Sequence, residues 1–281
     1  MKEIGLRFGS ANHLVGTLTL PDSNAEYGLI LLSAGLLHRI GPHRLHVKFA
    51  RLAAERGIAA LRFDMPGVGD SATPPGRESY ETQILRAATE AMNLLADKAG
   101  TSRFIVAGLC SGADNGYLVA RRDPRIKALF MLEPYFFPNR LSSPLRMTRR
   151  LREYGLRPAA SRLWQVLREG EFFRGRQGNV DGRVRPPAGE FSEGLKELAD
   201  RGVHMRLLYA AISMGQYDLR QHRRRIFGNL AQSPFFRIEA LAHSDHLFTQ
   251  LAAKEAVNQR FLDLLRTVTA GGSQRTEAEP A

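Results

Sequence analysis

The sequence predicts an α/β fold, a mostly parallel, doubly wound sheet covered by helices, with a helical cap inserted after a strand near 126–132. Three observations carry this. Short continuous apolar runs alternate with amphipathic segments along most of the chain. Glycine, proline or aspartate residues punctuate the boundaries. The alternation breaks once, between about 134 and 200, in an arginine-rich stretch of different composition.

The elements follow in order. His13–Leu20 alternates like a half-buried strand and ends at Pro21-Asp22. Gly28–Ser33 is a short apolar run, the pattern of a strand buried on both faces. Leu45–Arg56 has helical periodicity and stops before Gly57. Ile58–Phe63 is a strand, Glu78–Ala99 a long helix ending at Gly100, Arg103–Gly108 a strand, Ser111–Arg121 a helix and Ile126–Leu132 a strand. Beyond the break, which holds helical pieces such as Pro158–Glu169, the signals resume with His204–Ile212, Arg220–Leu230, Phe235–Glu239 and Leu247–Thr267. Expected domains are a core of 1–133 and 201–269, a cap of 134–200 and a disordered tail of 270–281.

Composition excludes several classes. Of 281 residues, 43% are hydrophobic and 24% charged, which rules out a disordered chain. No run approaches the ~18 apolar residues of a membrane span. The N-terminal MKEIGLRFGS lacks an apolar secretory core, and a single cysteine forbids an internal disulfide. Both fit a cytoplasmic protein. The net charge is +12, and 140–185 holds twelve arginines, no lysine and four acids. No nucleic-acid-binding signature accompanies them, so nucleic acid is not an expected partner. A solvated helical face explains the charge, with peripheral membrane contact through the basic cap the other reading.

The strand at 103–107 runs directly into Gly108-Leu109-Cys110-Ser111-Gly112, and a helix follows. A tight strand–turn–helix needs small residues two before and two after its central residue, because strand and helix pass closely. That selects Cys110 as nucleophile. Ser111 as the centre would place leucine at 109, where a small residue is needed. The Ser111 N–H, opening the helix, is placed to receive a developing oxyanion.

This Gly-x-Cys-x-Gly turn resembles the nucleophile elbow of the α/β-hydrolases, with cysteine for the usual serine. The resemblance implies that Leu29–Leu37, with Ala34-Gly35, supplies a second oxyanion N–H from Leu36, Leu37 being the less favoured donor. It implies a structural turn at Asp64-x-x-Gly67-x-Gly69-Asp70-Ser71. It places the general base at His246, in Asp245-His246-x-Phe248, with His243 as the alternative. The acid is assigned to Asp218, after the strand at 204–212, with Glu133 the alternative at the end of the strand at 126–132.

His38-Arg39-Ile-Gly-Pro-His43-Arg44, with Leu61-Arg-Phe-Asp64 and Gly108-Leu-Cys110, is similar to segments of bacterial hydrolases associated with exosortase systems. Arg39, His43 and Arg44 are candidates to hold a substrate carboxylate or phosphate, or to pair with acids of the fold. The expected activity is hydrolysis of an ester, thioester or lactone of a small-molecule acyl substrate, anionic ones included, through a Cys–His–acid triad. The alternatives are an acyltransferase using the same site and a non-catalytic binding protein of this fold. No metal or organic cofactor is expected, since no phosphate loop or ligand cluster appears in the sequence.

Overall fold

A computed structural model describes residues 1–73, 76, 78–137, 185–211, 213–214 and 216–276. The helical pieces expected at 158–169 and all of the arginine cluster except Arg185 lie outside the described residues. Eight strands form one sheet: β1 Lys2–Phe8, β2 Leu14–Leu20, β3 Tyr27–Leu32, β4 Ala59–Phe63, β5 Arg103–Leu109, β6 Ile126–Leu132, β7 His204–Ala210 and β8 Phe236–Leu241. Their spatial order is β1-β2-β4-β3-β5-β6-β7-β8. The pairs β1/β2 and β2/β4 are antiparallel and all others parallel. Six strands therefore end at one carboxyl edge, and the loops leaving it carry the chemistry.

The helices are α1 Leu45–Ala54, α2 Tyr80–Ala99, α3 Ser111–Arg122, α4 Ala188–Asp200, α5 Gln216–Gln221 and α6 Leu251–Thr276. Strand side chains alternate between two cores. Leu29 and Leu31 of β3 pack with α1 and α6, while Ile30 and Leu32 pack in the cluster holding α2, α3 and α4. Both faces are thus filled, which is why the central strands are continuous apolar runs. Full burial of each leucine contributes about 1.5–3 kcal/mol. Phe49 of α1 stacks on Phe261 of α6 at 4.2 Å, and Tyr117 of α3 meets Phe191 of α4 at 4.8 Å. The sequence also sets boundaries: Ser79 caps α2 by accepting the Thr82 N–H at 3.2 Å, and Gly100 ends it at φ 70°.

Four expectations change. β1 has no counterpart in the sequence reading, because Lys2, Glu3 and Arg7 mask its alternation and only Phe8 is buried. α4 falls inside the expected cap, yet Phe191, Leu195 and Leu198 are buried in the core. It packs in the core between β6 and β7 in chain order, so it does not belong to the expected cap. The segment 220–230 is a broken crossover, with α5 followed by a π turn at His222–Ile226 and a 3-10 turn at Gly228–Gln232. The expected disordered tail from 270 begins too early, since α6 continues to Thr276.

Candidate active site

The turn after β5 has the geometry its glycines require. Cys110 sits at φ 52°, ψ −119°, a strained conformation for an L-residue. A Cβ on Gly108 would lie 2.4 Å from the Gly112 carbonyl, and one on Gly112 would lie 2.0 Å from the Leu32 carbonyl oxygen. No other residue fits either place. The backbone is tied down by the Cys110 N–H donating to the Leu132 carbonyl at 2.7 Å, and by the Cys110 carbonyl accepting from Ala113 and Asp114. The half-buried thiol stands at the amino end of α3.

Ser111, the alternative centre, has another place. Its buried hydroxyl accepts the Gly35 N–H at 2.6 Å. This ties the elbow to the loop after β3. The same loop closes on itself through the Leu37 N–H to Ala34 carbonyl bond at 2.9 Å. Leu37 is thereby removed as an oxyanion donor. The N–H groups of Leu36 and Ser111 have no acceptor among the described residues, so both remain available.

The loop after β8 carries the histidines. Asp245 builds it, accepting at Oδ1 from the N–H groups of Leu247 and Thr249, both at 3.0 Å, and at Oδ2 from the Thr249 hydroxyl. Burial disfavours its charge, but these bonds win and lower its pKa. His246, half exposed, projects from this turn and its Nδ1 donates to Glu133 Oε2 at 2.8 Å. Its pKa is pushed up to about 10, first by a side-chain hydrogen bond with Cys110, then by the bond to Glu133, with burial opposing. His243 is exposed at φ 53° and has no part in this pairing.

Glu133 is buried at the end of β6 with a left-handed backbone, φ 52°. Its N–H donates to the Leu208 carbonyl at 2.8 Å, and Oε1 accepts the Ala210 N–H. Two backbone contacts to β7 leave Oε2 directed at the ring. The acid's position beside Nδ1 is therefore held by the alternative candidate. Asp218, the preferred one, falls on α5, and its side chain lies outside the described residues.

The segment 38–44 divides. Arg39 pairs its guanidinium with both Asp64 and Asp70 and donates its N–H to Asp64 Oδ1. Burial opposes its charge, but the two carboxylates raise its pKa. Arg39 is thus an internal cation of the fold. His46 is buried, and burial brings its pKa down to about 4. His43 and Arg44 stand exposed at φ 51° and 63°, and neither side chain has an acid partner among the described residues. His38, Asp64 and Asp70 form the one metal-ligand-type grouping among the described residues, and its carboxylates already hold Arg39.

A strained elbow after β5, a histidine on the loop after the last strand and a buried carboxylate at a neighbouring strand end form the arrangement seen in α/β-hydrolase sites. The sequence comparison agrees: residues 30–260 match the model of the alpha/beta hydrolase family, and the chain belongs to that family. It is a hydrolase by class. No curated protein sequence matches it. Among solved structures it resembles an esterase from Pyrococcus furiosus, with TM-score 0.60, 14% identity and coverage of 95% of this chain and 91% of that one. It also resembles a lidless α/β serine hydrolase from Xanthomonas campestris (TM-score 0.55, 16% identity, 95% of each chain). A third is a dienelactone hydrolase from Anabaena variabilis (TM-score 0.57, 13% identity, 95% and 98%). No helix among the described residues is long and apolar enough to cross a membrane.

Proposed function

We propose that the protein hydrolyses an ester, thioester or lactone through a covalent acyl–cysteine, with Cys110 as nucleophile, His246 as base and Glu133 as the acid. The observation carrying this is His246 itself, whose Nδ1 donates to the buried Glu133 Oε2 at 2.8 Å and whose pKa is raised to about 10 by the neighbouring Cys110 thiol and by Glu133. An imidazole so placed is stabilised in its protonated form, the form that can later protonate a leaving group.

The steps follow. The Cys110 thiolate attacks the acyl carbon, and the carbonyl electrons move to oxygen. The Leu36 and Ser111 N–H groups bind that oxyanion. Collapse breaks the bond to the leaving group, which takes a proton from His246. A water then loses its proton to the neutral ring and attacks the thioester. Collapse releases the acid and returns the proton and thiolate to their starting places. Glu133 acts through His246, fixing its tautomer and stabilising its positive charge. His43 and Arg44 supply cationic and hydrogen-bonding groups for an anionic part of the substrate; Arg39 does not, being committed to Asp64 and Asp70.

Within the family we group the chain with cysteine-nucleophile members similar to the exosortase-system hydrolases, on Gly108-Leu-Cys110 and the 38–44 segment. The test is iodoacetamide alkylation of Cys110, with intact-mass detection of an acyl adduct on adding a p-nitrophenyl ester. Expected are alkylation well above a free thiol at pH 7, its loss in His246→Ala, and an adduct absent from Cys110→Ala. Alkylation at the free-thiol rate and indifferent to His246 overturns the reading.

A further inference from the structure

The exposed apolar side chains are unevenly placed. Among the described residues seven large hydrophobic side chains are exposed; of these Leu36, Leu37, Ile40 and Leu247 lie in loops that follow carboxyl strand ends, and Tyr80 and Leu251 open the helices that such loops lead into. The exception is Met1 at the amino terminus. Single exposed leucines are ordinary on a protein surface; their concentration at one edge is not.

Their chain positions tie them to the reacting groups. Leu36 bears a proposed oxyanion N–H, and its side chain is 85% exposed. Leu37 follows it in a turn bound to Ser111 through Gly35. Leu247 follows His246. Leu251 opens α6 one turn later and is 72% exposed. The Tyr80 hydroxyl accepts from Asn115, a turn into the helix that Cys110 begins, at 3.0 Å. The β3 loop is tied to the elbow by the Gly35 N–H bond to Ser111, and the β8 loop is tied by His246 to Glu133 at the end of β6, the strand beside β5. Exposed apolar side chains thus stand on both loops that border the elbow.

We propose that this rim binds the acyl chain of the substrate, a medium-length apolar chain of about six carbons or more, so that the enzyme prefers such esters over acetyl esters. The inference rests on the Cys110 reading and deepens it. An acyl carbon seated between Cys110 and the Leu36 N–H has its chain leaving past these leucines, and their burial against it favours each added methylene.

The experiment is kcat/KM for p-nitrophenyl acetate, butyrate, hexanoate and octanoate, below their aggregation limits. The wild-type chain is compared with Leu37→Gln, Leu247→Gln, Leu251→Gln, the triple variant and Cys110→Ala. Expected is a rise of about two- to fourfold per methylene from butyrate to octanoate. The triple variant flattens that rise, so that its own octanoate-to-butyrate ratio of kcat/KM falls toward one. A flat wild-type series, or a slope indifferent to the three leucines, overturns the proposal. So does a flat series joined to leucine-dependent sedimentation with phosphatidylcholine–phosphatidylglycerol vesicles, which reassigns the rim to a lipid surface. Full acetate turnover by Cys110→Ala sinks the nucleophile assignment instead, so the two failures are distinct.

Discussion

Two carboxylate–cation clusters stand at the carboxyl edge of the sheet. At the end of β4, buried Asp64 accepts from the N–H groups of Arg39 and Asp70 and pairs with the Arg39 guanidinium. At the end of β6, buried Glu133 accepts from the Ala210 N–H and pairs with the His246 ring. Each is a strand-end acid, held by backbone donors and facing a cation. They differ in the cation. A guanidinium cannot release its proton in a protein, and Arg39 is largely covered. An imidazole can, and His246 is half exposed, with its pKa raised by the neighbouring Cys110 thiol and by Glu133. The same architecture therefore serves as a fastener in one place and, in the mechanism proposed above, as a proton exchanger in the other.

Exchanging what each cluster loses is the most direct way to break that contrast. The largest effect is expected for His246→Ala: kcat/KM on an activated ester falls by about 10³-fold or more, from the loss of a general base acting with a covalent nucleophile. Its melting temperature shifts little, because the ring is half exposed. Arg39→Ala should do the reverse, leaving Asp64 buried with its main cation gone. A loss of about 3 kcal/mol in denaturant unfolding is expected, while kcat of the folded enzyme changes by less than about threefold. A large drop in kcat for Arg39→Ala without loss of stability sinks the distinction.

Glu133→Gln tests the acid alone. The amide keeps the shape but removes the charge that favours imidazolium, and it can offer Nδ1 the wrong hydrogen-bond polarity. A fall in kcat of about 10- to 100-fold is expected, less than for a serine triad because a thiol ionises more readily. Cys110 alkylation near neutral pH should slow in parallel. Unchanged kinetics returns the acid's role to Asp218.

This pair of clusters also marks where the sequence ran short. The elbow was legible because its constraint is local: glycines at ±2 from Cys110 answer to a strand and helix passing within a few residues. The strand–helix order was legible because two-sided burial leaves continuous apolar runs. Glu133 was visible as a strand-end acid, but nothing in the local pattern says that its backbone turns to φ 52° and aims one oxygen across β7. That geometry depends on Leu208 and Ala210, more than 70 residues away. Arg39 posed the same problem. Its two acids lie 25 and 31 positions on, and a substrate-facing arginine reads identically in sequence. β1 was missed because an edge strand buries too little to show alternation.

The smallest effect expected is on stability as a function of pH, and its sign separates the clusters again. His246 has an ordinary value of 6.5 and is raised to about 10 in the folded chain. A raised folded-state pKa means that the folded chain holds the proton more tightly than the unfolded one. Its stabilising contribution is complete below about pH 6.5, declines as the pH rises, and is gone above about 10. Asp70 has the opposite sense: the hydrogen bond and charge of Arg39 lower its pKa, so its contribution is present at neutral pH and lost on acidification. Melting curves of wild type and His246→Gln should therefore converge as pH climbs from 7 past 10. Wild type and Asp70→Asn should instead converge as pH falls below the ordinary aspartate range. Solvent screening of two partly exposed sites keeps both differences small, but their opposite slopes do not depend on size. If the His246 difference widens toward alkaline pH, the ring is not held as a cation between Cys110 and Glu133, and its likeness to the Asp64 cluster ends there.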